Sequence, residues 1–157
     1  MLGLQRRHLR DNRRESPTEW TPCGTVVMAQ RVCGARTLMP LTLEHEHDNV
    51  FRLDLQGPLR KIDFERCEQQ LEHQIVQQGP VRLLIVLDGF TGWDPGAPWN
   101  DLAFYMKHGD AIERIAIVGP NRWRSHMLMF AGADLRGAPV KYFPPGTAVE
   151  ARTWLSS

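Results

Sequence analysis

Two short runs, "RLLIVLD" (Arg82 to Asp88) and "ERIAIVG" (Glu113 to Gly119), limit the fold more than any other feature of the chain. Each is strand-sized and apolar at nearly every position, which is the pattern of a strand covered on both faces. Helices cover both faces when they cross over a parallel sheet, and the stretch between the runs has room for one such crossover. "PVKYF" (Pro139 to Phe143) is a shorter run of the same kind. Upstream, "LTLEHE" (Leu41 to Glu46) and "VFRLDLQ" (Val50 to Gln56) alternate apolar with polar residues. Joined by "HDN", they predict a β-hairpin of two half-buried strands.

Helical periodicity fills the gaps. From Lys61 to Gln78, Phe64, Cys67, Leu71 and Ile75 recur at spacings of three and four and fall within about 80° of one another. One face of this helix is therefore buried and the rest polar. Gly57-Pro58 is expected to end the strand before it, and Gly79-Pro80 the helix itself. Further helices are expected over Ala97 to His108 and Asn121 to Ala131. "TAVEARTWL" closes the chain with Ala148, Ala151 and Leu155 on one face. The order β-β-α-β-α-β-α-β-α predicts an α/β fold: a mixed sheet of about five strands with an N-terminal hairpin, and about four helices.

Length and charge narrow the class. A chain of 157 residues, 42% apolar and 24% charged, suits one domain with a real core. No apolar run reaches the roughly 18–20 residues of a membrane-spanning helix. The net charge of +1 divides into +4 over residues 1–38 and −3 over the remainder. An acidic body without a basic stripe speaks against nucleic acid as partner, because phosphate backbones call for clustered cations. Residues 1–38 hold seven Arg, lack helical periodicity and lack the apolar core of a secretory signal; they are expected to form a disordered extension. The single domain is expected over residues 39–157, with Met28 or Met39 as alternative natural starts. Cys23, Cys33 and Cys67 match neither a disulfide framework nor zinc spacing, so a reducing, cytoplasmic location is expected.

The expected functional edge is the one beyond the carboxyl ends of the parallel strands. There, "DGFTGWDPGAPW" follows the first buried run and "GPNRW" the second. In the helix expected over 97–108, Trp99, Leu102, Ala103 and Met106 form a core stripe. Phe104 and Tyr105 lie about 140° and 240° from Trp99 and flank His108. In the next helix Trp123, Met127 and Phe130 form the core stripe, while Leu128 and Met129 point elsewhere. Both helices thus carry surplus apolar surface, which suits a groove for a small apolar ligand or lipid, a protein partner, a homodimer or peripheral membrane contact. Arg122 beside Trp123 suits an anionic headgroup. Asp94, before Pro95, reads as a turn or helix-capping residue. No nucleophile-base pair or phosphate loop stands out, and His45 with His47 lacks a third metal ligand. A non-enzymatic domain without cofactor or metal is expected, with Trp93, Asp94, Trp99, Phe104, Tyr105, His108, Arg122, Trp123, Met127 and Phe130 around the binding groove.

Taken together, "RLLIVLDGFTGWDPGAPWNDLAFYMKH", "ERIAIVGPNRW", "KYF" and "EARTWL" resemble the SpoIIAA-like family of small STAS-type domains, also likened to the CRAL-TRIO lipid-binding fold. The resemblance covers about residues 39–155. It implies a β-α superhelix in which strands adjacent in sequence are neighbours in the sheet, and a non-catalytic role in binding a lipid or a partner. Anti-sigma-factor antagonists of this class carry D-S-S-G where a serine is phosphorylated. Here Asp94 is followed by Pro95, Gly96 and Ala97, with no hydroxyl at that place, so a regulatory module of that type would work without the usual phosphoserine.

Overall fold

The computed structural model describes residues 40–100 and 103–157; the extension expected over 1–38 lies outside them. The hairpin forms from β1 (Leu41–His47) and β2 (Val50–Leu59), paired antiparallel with Leu43 opposite Leu53. Its tight turn places Asp48 at φ +47°, a conformation Asp tolerates better than most side chains. β3 (Val81–Trp93), β4 (Ile112–Val118) and β5 (Val140–Phe143) follow in the order β1-β2-β3-β4-β5, each parallel to its predecessor. Four helices accompany them: α1 (Lys61–Gln78), α2 (Ala103–His108), α3 (Arg124–Phe130) and α4 (Ala148–Ser156). The expected α/β architecture, with sequential strands as neighbours, is the one observed.

The two apolar runs work as expected. Leu83, Ile85 and Leu87 of β3 pack into one cluster with Cys67 and Leu71 of α1 and Met127 of α3. Leu84, the residue between, joins Ala116, Val118, Ala151 and Leu155 on the opposite face, under α4. Period-two alternation divides one strand between two cores. Consequently α1, α2 and α3 share one face of the sheet, and α4 lies on the other.

α4 is fastened at its carboxyl end, where helix carbonyls lack intrahelical partners. Arg82 Nη1 of β3 donates to Leu155 O at 2.9 Å, and Arg114 Nη1 of β4 donates to Trp154 O at 2.7 Å. Nearer the hairpin, Arg152 of α4 makes a bidentate pair with Glu46 of β1, at 2.8 and 2.6 Å. This holds the Glu46 carboxyl below its ordinary value of 4.5, chiefly through the Arg152 hydrogen bonds.

Four expectations need correcting. Gly57-Pro58 does not end β2: the strand runs on to Leu59 through register shifts on either side of Gly57. Such bulges absorb a residue that cannot donate to the ladder. β3 in turn extends past Asp88 to Trp93, pairing Gly92 with Pro58 and Trp93 with Leu59, so the first half of the presumed loop is strand. Residues 97–100 are not helical, and the described helix starts at Ala103. α2 also turns its other face inward: Met106, assigned to the core stripe, is 78% exposed, Ala103 is exposed, and Phe104, Tyr105 and His108 are half-buried.

Candidate functional site

The extended end of β3 delivers a band of aromatic rings. Phe90 is buried and meets Trp93 at 5.1 Å and Trp123 at 4.9 Å between ring centroids. Trp93 continues to Phe130 of α3 at 5.5 Å, and Phe130 to Phe64 of α1 at 5.2 Å. Trp99 closes the band, 6.0 Å from both Phe64 and Phe130. These spacings are those of favourable offset and edge-on ring pairs. Gly92 adjoins the band with φ +125°, and a Cβ there would only reach ordinary contact, 3.4 Å from the Trp123 ring. Any side chain at that position would be strained by its backbone conformation.

The segment after β3 is folded back on itself. Asp94 accepts the Gly96 N–H at Oδ1 (3.0 Å), donates its own N–H to Leu59 O (2.9 Å), and offers its carbonyl to Trp99 Nε1 (2.8 Å). Asp94 is therefore a turn residue that holds Trp99 in place; it does not cap α2.

Beside the aromatic band, a cavity of about 460 Å³ lies over the sheet, between α1 and the α2–α3 side. Its floor is Leu53, Leu83, Ile85, Ile112 and Ile115 from β2, β3 and β4. α1 contributes Phe64, Cys67, Glu68 and Leu71. Phe104 and Tyr105 come from α2, and His126, Met129 and Phe130 from α3. Ala131, Arg136 and the two indoles Trp93 and Trp99 complete the lining. The volume sits within the range of about 300–1,000 Å³ typical of small-molecule sites, and the apolar lining with a few polar groups is their usual composition.

Five of the ten residues expected around a groove line this cavity: Trp93, Trp99, Phe104, Tyr105 and Phe130. The others lie elsewhere. Met127 is fully buried in the sheet-facing core. Trp123 supports the aromatic band from behind, with the exposed Arg122 over its ring at 5.7 Å. His108 places Nε2 3.2 Å from Glu72 Oε1, outside hydrogen-bonding geometry. Lys107 also pairs with Glu72, and the two contacts tie α2 to α1. The Lys107 hydrogen bond is the main influence holding the Glu72 carboxyl below its ordinary value.

Sequence spacing does not mark the α1 wall, because Phe64, Cys67 and Leu71 have the spacing of an ordinary core stripe. Nor does it mark Arg136, which stands in the turn-rich stretch "AGADLRGAP". A lone cation flanked by Gly132 and Gly137 and by apolar residues was the available signal. Cys67 is 6% exposed, and burial pushes its thiol up to about 12, so it is an apolar wall atom at neutral pH and not a nucleophile. Among the described residues, no cluster of three His, Cys, Asp or Glu is arranged to hold a metal, and no helix is long and apolar enough to cross a membrane.

Comparison with solved structures agrees with this architecture. An uncharacterized protein from the DUF3478 family with a SpoIIAA-like fold, from Shewanella loihica PV-4, superposes with a TM-score of 0.56 at 24% identity, over 73% of this chain and 91% of that one. The anti-sigma factor antagonist SpoIIAA in its unphosphorylated form superposes with a TM-score of 0.52 at 14% identity, over 74% and 98%. At such identities the likeness is one of fold. No curated protein matches in sequence. The SpoIIAA-like family profile matches residues 50–156, from the first residue of β2 to the last of α4, and the chain belongs to the SpoIIAA-like family.

Proposed function

We propose that this is a non-catalytic STAS-type domain that holds a small apolar ligand in the cavity between α1 and α3. The observation carrying this reading is the cavity itself, about 460 Å³ of space walled by aromatic and aliphatic side chains. Close packing normally leaves few voids larger than a water molecule, and empty apolar cavities cost stability. A ligand that filled this space would recover the lost contacts. The volume suits a single chain or ring system better than a two-chain lipid.

The test compares the native and denaturing masses of the purified full chain, with extraction of any species retained and a second round after adding 1-decanol. Retention or uptake of one apolar molecule, lost in Ala131→Phe, is the expected result. Ala131 is buried and lines the cavity, so the larger ring would occupy it. No uptake by the wild type, or equal uptake by Ala131→Phe, would refute the reading.

A second reading is supported by the surface near the cavity. Met106 on α2, Met129 on α3 and Leu135 beyond it are 78%, 74% and 67% exposed. Exposed Met and Leu suit an adaptable protein contact, and the SpoIIAA of the matching structure is an anti-sigma factor antagonist. A regulatory contact here would have to do without the phosphoserine: Pro95 and Gly96 occupy the turn after Asp94. Capture of a partner that is lost in Met129→Asp and retained in Ala131→Phe would favour this alternative.

A further inference from the structure

The cavity is apolar except for a few polar groups, and two of these are buried donors without an acceptor. Arg136 Nη1 and Trp93 Nε1 both lack a hydrogen-bond partner. The Arg136 guanidinium is nevertheless held firmly. Its Nε donates to Ala131 O at 2.8 Å, and it lies 4.8 Å over the Tyr105 ring. The Tyr105 hydroxyl is fixed in turn by donating to Leu135 O at 2.6 Å. Among the described residues no carboxylate pairs with Arg136. Glu68 lines the same cavity from α1, and its charge helps raise the Cys67 thiol. Asp110 borders a smaller depression that Arg136 also lines, and it makes no ion pair with the guanidinium.

A guanidinium stays protonated in proteins, so a half-buried one with no carboxylate partner among the described residues carries a desolvation penalty. Burial is the main influence on Arg136 and lowers its proton affinity, which is the direction of an uncompensated cation. The planar fork of donors matches a carboxylate edge better than any neutral head.

We infer that the cavity takes a small amphipathic carboxylate, its head on the Arg136 guanidinium and its apolar body against Phe64, Leu71 and Phe130. The inference rests on the cavity reading proposed above and adds the chemical class of the ligand. Trp93 Nε1 is a second donor in the same lining.

Calorimetric titration of the full chain with decanoate and with 1-decanol separates the two claims, because the probes share a chain and differ in the head. The wild type is expected to favour decanoate by roughly tenfold to a hundredfold, the range for a hydrogen bond to a charged group. Arg136→Gln should abolish that preference and leave decanol binding within about twofold, and Arg136→Lys should retain part of it. Arg136 also packs on Tyr105, but a purely structural role would weaken both probes together and leave their ratio unchanged. Equal affinities in the wild type, or an unchanged preference in Arg136→Gln, would overturn the carboxylate assignment and leave the cavity reading standing. If neither probe bound the wild type, both claims would fall. Should Arg136→Gln not fold, the wild-type ratio and Arg136→Lys still decide the matter.

Discussion

Gly119, the last residue of "ERIAIVG", has a packing role that a single methyl group should expose. It follows β4 and donates its N–H to Phe143 O at 3.1 Å. A Cβ built there would lie 2.7 Å from Leu87 Cδ1, 2.8 Å from Leu87 Cβ and 2.9 Å from Leu87 Cγ. Carbon atoms pack best at about 3.5–4.0 Å, so all three contacts are repulsive. Rotating the Leu87 side chain moves Cγ and Cδ1 but leaves Cβ, which is fixed to the backbone of β3. That strand is held between β2 and β4, and Leu87 is 6% exposed. Gly119→Ala should therefore cost about 1–3 kcal/mol, the usual range for overpacking a close-packed core. With a urea slope near 1.5–2 kcal/mol/M, the unfolding midpoint would fall by about 0.5–2 M. Gly137→Ala is the control, since a Cβ there meets nothing within 4 Å; it should change stability by less than about 0.5 kcal/mol. In a Leu87→Ala background two of the three contacts vanish, so Gly119→Ala should cost less there than in the wild type. Equal midpoints for Gly119→Ala and Gly137→Ala would refute the reasoning.

Three further expectations concern other parts of the molecule. Cys67, with its thiol pushed up to about 12, should be alkylated at pH 8 roughly a thousandfold more slowly than a free thiol of pKa near 8.5, as read by peptide mass mapping of the native and urea-unfolded chain; comparable rates would contradict its burial. Glu46 has a depressed folded pKa, so its stabilising effect is full above its unfolded value near 4.5 and is lost as pH falls through the folded one. Glu46→Gln should thus lower stability at pH 7, by up to about 1 kcal/mol for so partly exposed a pair, and in thermal melts the gap to wild type should narrow as the pH falls below 4.5. Arg114→Ala removes the donor to Trp154 O and the cation 5.4 Å over the Trp154 ring. It should destabilise by about 1–2 kcal/mol, with faster amide exchange in α4 as the local signature.

Much of the fold could be read from periodicity, because continuous apolar runs and a stripe at three-four spacing each admit few arrangements. The bounds of α1, Lys61 to Gln78, are those expected, and the two-faced burial of β3 and β4 follows from their composition. Reading failed where tertiary contacts overrode local signals. Gly57-Pro58 looks like a stop, but a bulge lets β2 continue beside β3. "PGAPW" looks like a helix start, yet the Trp99 indole is spent on the Asp94 carbonyl and holds the chain in a turn. The orientation of α2 was ambiguous because apolar residues occur on both of its sides; contacts to Glu72 and Leu135 turn His108 and Tyr105 inward. The aromatic half of the candidate site was legible, since Trp and Phe at a strand end are conspicuous. The α1 wall and Arg136 were not, because whether a core stripe is fully covered depends on partners that sequence spacing does not reveal.

The most direct test of the cavity reading is a map of backbone and methyl chemical shifts in the full chain as 1-decanol is added. Shifts concentrated at Leu71, Phe104, Phe130 and Ala131, with Ala151 and Leu155 on the far face unmoved, are the expected result. Shifts confined to the exposed Met106 and Leu135, which do not line the cavity, or none at all, would contradict it.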